Sequence, residues 1–204
     1  FNAVGEVVLE AYQDLRVQND AESAALAQAA WENLKRLMDF IFWFFSHQEY
    51  QIAGSVEPFL TAFFVKVKAF VVGGGDGEAG KIGSGSSEPG PCHVVGLDQM
   101  RPILTETLKL IIQRIAYPDW FQHNDPTYED DDRHIAFLDF RRSLTKIYKR
   151  IFLVDEQLGF QFVQASVAQL TQSCASVRPM EAEAVLYLYK EAGEIVKDVG
   201  QHLQ

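Results

Sequence analysis

Cysteine is nearly absent from this chain, with Cys92 and Cys174 the two thiols in 204 residues. Two cysteines build neither a disulfide framework nor a four-ligand zinc site, and their scarcity suits a reducing compartment. Positive charge is short as well. Eighteen Lys and Arg face 28 Asp and Glu, for a formal net charge of −10, which excludes capture of a polyanion by a bulk positive field. Any nucleic-acid contact has to come from a local patch. The most apolar stretch, Leu37 to Phe45, is interrupted by Asp39 and falls short of the roughly 18 to 20 apolar residues of a bilayer span, so no membrane insertion is expected. No run of alternating β-branched residues signals a strand.

Catalytic signatures are missing too. There is no Gly-x-Ser-x-Gly elbow and no His-Glu-x-x-His motif. The five histidines, His47, His93, His123, His134 and His202, share no ligand-like helical spacing, and the adjacent pair Cys92-His93 is too few ligands for a metal. Glu129-Asp130-Asp131-Asp132 lacks the alternating oxygen ligands, central Gly and terminal Glu of a calcium loop, and reads as a solvated acidic segment. Glu181 and Glu183 read as a charged first helical turn rather than an acid/base pair. The expectation is no catalytic residue, no metal, no cofactor and no enzyme.

What is present is helical periodicity. Trp31, Leu34, Met38, Ile41, Phe42 and Phe45 share one face, and Ile52, Val56, Phe59, Leu60, Phe63, Val67 and Phe70 share another. These two predict an antiparallel hairpin turning at Ser46-His47-Gln48-Glu49, with Pro58 either kinking the second helix or marking its late start. Leu104, Leu108, Ile111, Ile112 and Ile115 repeat the pattern, with Pro102 placed in a first turn and Pro118 as a stop. Further helices follow around 137–151, 160–174 and 185–199, and a partial helix over Val4 to Leu15 enters from upstream. Two loops separate them. Residues 73–91 carry eight of the 14 glycines and read as a flexible Gly/Ser-rich insertion, because Gly80-Lys81-Ile82 lacks the Lys-Ser/Thr ending of a phosphate-cradling loop. Residues 122–133 read as an acidic inter-helix loop.

The expected fold is therefore all-α, with six principal helices in three consecutive pairs. The last pairs recur at about 40 residues, as in HEAT-like α-solenoids. A bundle also accommodates six amphipathic helices; it converges their faces on one core, whereas a solenoid stacks pairs and leaves two broad surfaces. The chain opens Phe1-Asn2-Ala3, without an initiator Met or a signal-peptide layout, and reads as a piece of a longer protein.

The most informative charged feature is Arg141, Arg142, Lys146, Lys149 and Arg150, five of the 18 basic residues in one short helical stretch. At about 100° per residue, Arg142, Lys146 and Lys149 fall within roughly 60° of one another, away from Phe140, Ile147 and Ile151. Arg142, Lys146, Lys149 and Arg150 are the candidate contacts for phosphate or an acidic partner. The alternative is a solvated face paired with acidic residues of neighbouring helices. No exposed aromatic ladder accompanies the stripe.

Tyr117-Pro118-Asp119, leading through Tyr128-Glu129-Asp130-Asp131-Asp132 to Phe137-Leu138-Asp139-Phe140-Arg141-Arg142, resembles the middle of the exportin-T family, the tRNA exportins of the importin-β superfamily. Leu144, Val163, Ala165-Ser166-Val167 and Arg178-Pro179-Met180-Glu181-Ala182-Glu183-Ala184-Val185 extend the resemblance. It is weaker over Phe44-Phe45-Ser46-His47 to Phe70, and residues 73–91 depart from it. The resemblance implies an internal slice of a HEAT-repeat superhelix that binds mature tRNA together with Ran-GTP and meets nuclear pore proteins. Such a receptor shuttles between nucleus and cytoplasm. The GTPase chemistry belongs to Ran, which that family grips chiefly through N-terminal repeats outside this chain. No tRNA-contact residue carries over individually, so the stripe on 142–150 remains the physical candidate.

Overall fold

A computed structural model describes residues 2–18, 20–71, 95–121, 131–173 and 176–201. Among these residues there is no strand. The helices are α1 (Asn2–Arg16), α2 (Ala21–Phe45), α3 (Tyr50–Gly54), α4 (Glu57–Val71), α5 (Leu97–Ile115), α6 (Asp132–Val154), α7 (Glu156–Gln172) and α8 (Pro179–Gln201). The expected loop at 73–91, both cysteines and residues 122–130 of the acidic loop lie outside the described residues.

Local chemistry sets the boundaries. Asp20 caps α2 by accepting from the Ser23 amide at 2.8 Å, and the buried face runs Ser23, Ala27, Trp31, Leu34, Met38, Ile41, Phe45 at steps of three and four. Asp131 accepts from the Arg133 amide at 2.8 Å, so α6 begins at Asp132 and the last residues of the expected acidic loop form a cap and first turn. Pro58 marks a late start. Helix α4 opens at Glu57, where Pro58 occupies a first-turn position that has no intrahelical partner to lose, and the expected 52–70 helix divides into α3 and α4. Pro102 departs from expectation: α5 starts earlier, at Leu97, which places the proline inside the helix.

The pairing also differs at the N-terminal end. The expected hairpin of 31–45 with 52–70 is replaced by α1 lying along α2, while α4 packs chiefly on α6 and secondarily on α1. The reason is the apolar face of α1, which runs over Asn2–Arg16. Leu9 and Tyr12 are fully buried, and the Tyr12 ring stands 5.8 Å from Trp31.

Contacts run in two successions, α1 to α4 to α6 to α8 and α2 to α5 to α7. Chain direction within the first is uniform. Asn2 donates to the Ser55 carbonyl and Lys66 meets Glu10 at 3.5 Å, so α1 and α4 are parallel. Tyr50 donates to the Arg133 carbonyl and Arg150 to the Thr61 carbonyl, which sets α4 parallel to α6. Between α6 and α8, Arg141 meets Glu183, Thr145 meets Tyr187 and Lys149 meets Glu191, each partner 42 residues further along.

The corner between α6 and α7 is a close approach. Asp155 is buried, accepts from the Leu158 amide at 3.0 Å and from Arg101 Nε at 2.9 Å, and so ties α5 to the turn. Gly159 lies under the Phe152 ring, where an added Cβ meets ring carbons at 2.8 Å. Phe152 is 2% exposed and has no free space to retreat into. Gly159→Ala is therefore expected to lower stability by about 1–3 kcal/mol, the usual cost of overpacking, read as a lower urea midpoint at unchanged m-value; an unchanged midpoint would show that the corner yields.

Candidate nucleic-acid interface

The five basic residues of α6 divide into three environments. Arg142 and Lys146 are exposed. Arg142 holds Asp139 of its own helix at 2.7 Å, a pair worth little in water. Lys149 and Arg150 turn toward neighbouring helices instead. Lys149 Nζ is 2.6 Å from Glu191 and 3.4 Å from Glu194 on α8, and its bond to Glu191 holds its pKa above the ordinary lysine value. Arg150 donates to the Thr61 carbonyl of α4 at 2.6 Å. The expected continuous stripe thus presents two cations to solvent and commits two to helix packing, because α4 and α8 flank α6 on either side.

Arg141 is the buried member. Its guanidinium lies between the rings of Tyr117 and Tyr187, at 4.0 and 4.3 Å from their centroids. Nη2 donates to both oxygens of Glu183, at 2.6 and 2.8 Å. Glu183 thus holds a neighbouring helix, and Glu181 pairs with Arg178 at 2.7 Å. The next turns of the seam are Thr145 with Tyr187 at 3.1 Å and Tyr148 donating to the Leu188 carbonyl at 3.1 Å. Burial, with the Glu191 carboxylate adding, pushes the Tyr148 phenol well above its usual range.

A second cationic place comes from three separate elements, and reading one helix at a time missed it. A cleft of about 410 Å³ opens between α3, the segment after α5 and the start of α6. Tyr50, Tyr117 and Trp120 form its wall, with Arg114, Arg133 and Arg178 around it and the carboxylates of Glu49 and Asp119 also in the lining. The Arg133 guanidinium lies over the Trp120 ring at 3.9 Å. Arg114 donates to the Ser46 carbonyl at the end of α2, yet its Nε is buried with no hydrogen-bond partner among the described residues; desolvation lowers its pKa. Arg178 is shared between Glu181 and, at 3.9 Å, Asp119. His134 is buried beside this wall, 4.6 Å from Phe121 in ring centroids and 3.2 Å from Asp131. Tyr117-Pro118-Asp119-Trp120, part of an aromatic cluster just past a helix end, lines the cleft as one continuous stretch of sequence.

Among the described residues no group of three or more His, Cys, Asp or Glu side chains could hold a metal ion. No described helix is long and apolar enough to cross a membrane. The chain matches no protein-family model and no curated protein.

Two expectations follow from the α6–α8 seam. Glu183→Ala strands a buried cation and should cost about 1–3 kcal/mol, less than the loss of a fully enclosed pair because Glu183 reaches water, whereas Arg141→Met should cost less by keeping volume without charge; equal losses in urea titrations would contradict this. The raised pKa values of Tyr148 and Lys149 contribute stability that is fully present below the unfolded-state values near pH 10. That contribution is lost as pH rises through the folded values. Tyr148→Phe should lose about 1 kcal/mol at pH 7 through its hydrogen bond, yet show a shallower decline above pH 10; parallel stability curves would refute the assignment.

Proposed function

We propose that this chain is a segment of a nuclear export receptor that carries mature tRNA in a Ran-GTP-dependent complex, with no catalysis of its own. The observation that carries the proposal is the 42-residue register between α6 and α8. Parallel neighbours at a fixed offset, separated by a helix of the other succession, are what stacked helix-pair repeats produce. An up-and-down bundle also makes alternate helices parallel, but it converges them on one core, whereas here contacts run in two successions, α1 to α4 to α6 to α8 and α2 to α5 to α7. That register runs from Arg141 to Glu191 and overlaps Tyr117 to Val185, the stretch that carries the resemblance to exportin-T.

On this reading the segment is part of a HEAT-like superhelix that shuttles between nucleus and cytoplasm and meets nuclear pore proteins, with Ran gripped mainly outside this chain. Cargo and Ran-GTP both favour the closed curvature, so each raises the affinity for the other. Arg142 and Lys146 are the members of the α6 stripe left to meet phosphate. A second reading, a helical-repeat scaffold or importin-β-type receptor for protein cargo, is favoured by one specific feature: Lys149 and Arg150 are consumed internally on a chain of net charge −10.

The test is tRNA binding by the full-length protein across a salt series, with and without Ran held in its GTP state. The expected result is a tRNA affinity raised at least about fivefold by Ran-GTP, the lower end of ordinary allosteric coupling, with log affinity falling linearly in log salt. Binding of neither, or tRNA binding indifferent to Ran, would move the protein to the protein-cargo class.

A further inference from the structure

We infer that the cleft between α3, the segment after α5 and the start of α6 is a phosphate-binding site that takes a backbone phosphate of bound RNA. The inference rests on the proposed tRNA-receptor reading and adds to it a second place of contact, distinct from the exposed Arg142 and Lys146 of the α6 stripe.

The argument begins with Arg133. A guanidinium lying flat on an indole face keeps its N–H donors pointing outward in the ring plane, a fixed fork that matches two phosphate oxygens. Among the described residues this guanidinium has the Trp120 ring as its contact and no carboxylate within ion-pair distance. Arg150 and Lys149, by contrast, already spend their donors on Thr61, Glu191 and Glu194. A second guanidinium, that of Arg114, stands in the same cleft with Nε unpartnered. A buried N–H without an acceptor carries a desolvation penalty that an arriving oxyanion would relieve.

Arg178 supplies the third charge. Its bonds to Glu181 and Asp119 are exposed on both sides, so a phosphate competes for it at small cost. The wall favours a nucleic acid over an acidic peptide. Tyr50 and Trp120 stand 6.2 Å apart in ring centroids beside the cationic groups, and aromatic side chains next to arginines accept a splayed base where a carboxylate side chain has none to offer. The volume of about 410 Å³ admits one nucleotide rather than a duplex.

The experiment compares tRNA binding by the full-length protein with Ran-GTP across a salt series for five forms: wild type, Arg133→Gln with Arg178→Gln, Gln48→Glu with Gln113→Glu, Lys35→Gln with Arg36→Gln, and Arg133→Lys. The first double variant should weaken binding about tenfold and flatten the log–log salt slope by about 1–2, as loss of two phosphate contacts requires. The second keeps every arginine, adds negative charge to the cleft lining, and should weaken binding in the same direction. The third removes the same charge from α2 and should move neither quantity. Arg133→Lys should lose affinity with the slope unchanged, since the charge stays and the fork goes. If wild type binds but both cleft variants retain its affinity and slope, the cleft inference is overturned and the receptor reading stands. If wild type binds no tRNA, both fall together. Unchanged thermal midpoints certify folding, and the charge-adding variant decides the matter if Arg133→Gln with Arg178→Gln fails to fold.

Discussion

Helix α6 has to be satisfied on several sides at once, and the arrangement of the other helices follows from that. It contacts α4, α5, α7 and α8. Its buried residues include Phe137, Leu144, Ile147, Ile151 and Phe152, but also His134, Arg141, Thr145 and Tyr148. A helix that buries an arginine, a threonine and a tyrosine needs partners at their positions, because an unpaired buried polar group costs more than its hydrogen bond returns. Helix α8 supplies a partner at each turn through Glu183, Tyr187, the Leu188 carbonyl and Glu191, while Arg141 Nε and Nη1, without a hydrogen bond among the described residues, belong to a guanidinium held between the Tyr117 and Tyr187 rings. Apolar contact alone would let the two helices slide by a turn at modest cost. A sequence of distinct polar pairs does not, since a slip would set Arg141 against the wrong residue and leave Glu183 idle. The ionic seam therefore fixes register, while the apolar residues on the other sides of α6 supply most of the burial energy.

The helical content was legible in the sequence because three- and four-residue periodicity survives wherever one face is buried. One boundary was legible, since Pro118 follows the end of α5, whereas the caps Asp20 and Asp131 were not, Asp131 reading as part of an acidic loop. Partners were not legible. Nothing in the spacing of Trp31 or Met38 says whether their face meets Phe59 or Tyr12, and the order along the chain suggested the wrong neighbour for α2. Periodicity gives the direction of a face, not what fills it. The limit reappears in the charges, where Arg142 and Lys149 share an angular sector on a helical wheel, yet one points to water and the other to Glu191. A helical wheel has no neighbours on it.

The cleft was out of reach for a related reason. Arg114, Arg133 and Arg178 are far apart in sequence and belong to three different elements, so no window contains them together. Their convergence depends on α5 and α6 running antiparallel, which sets the segment after α5 beside the first turn of α6, and on the turn before α8 arriving at the same end. The aromatic segment from Tyr117 to Phe121 fills that junction and joins two roles. Tyr117 receives Arg141 from the core side at 4.0 Å, and Trp120 receives Arg133 at 3.9 Å. Buried and exposed guanidiniums thus rest on one short stretch of rings.

If the chain handles a polyanion, as proposed, its net charge of −10 rules out reliance on long-range attraction, since the mean field opposes approach and salt weakens rather than removes that opposition. What remains is short-range complementarity: guanidiniums held in plane by aromatic faces, few in number and surrounded by carboxylates that discourage contact elsewhere. Such a surface binds slowly and selectively instead of widely, because a wrong anion meets repulsion everywhere except at the preorganised fork. For the receptor proposed above, which has to release its cargo, this would be an advantage. A handful of geometry-dependent contacts is lost when neighbouring helices shift by an ångström or two, whereas a broad basic surface would hold its ligand through the same movement. The register imposed by the α6–α8 seam and the placement of the cleft at the α5–α6 junction are in this sense one design, since a change in helix stacking is felt directly at the cleft that Arg133 and Arg178 line.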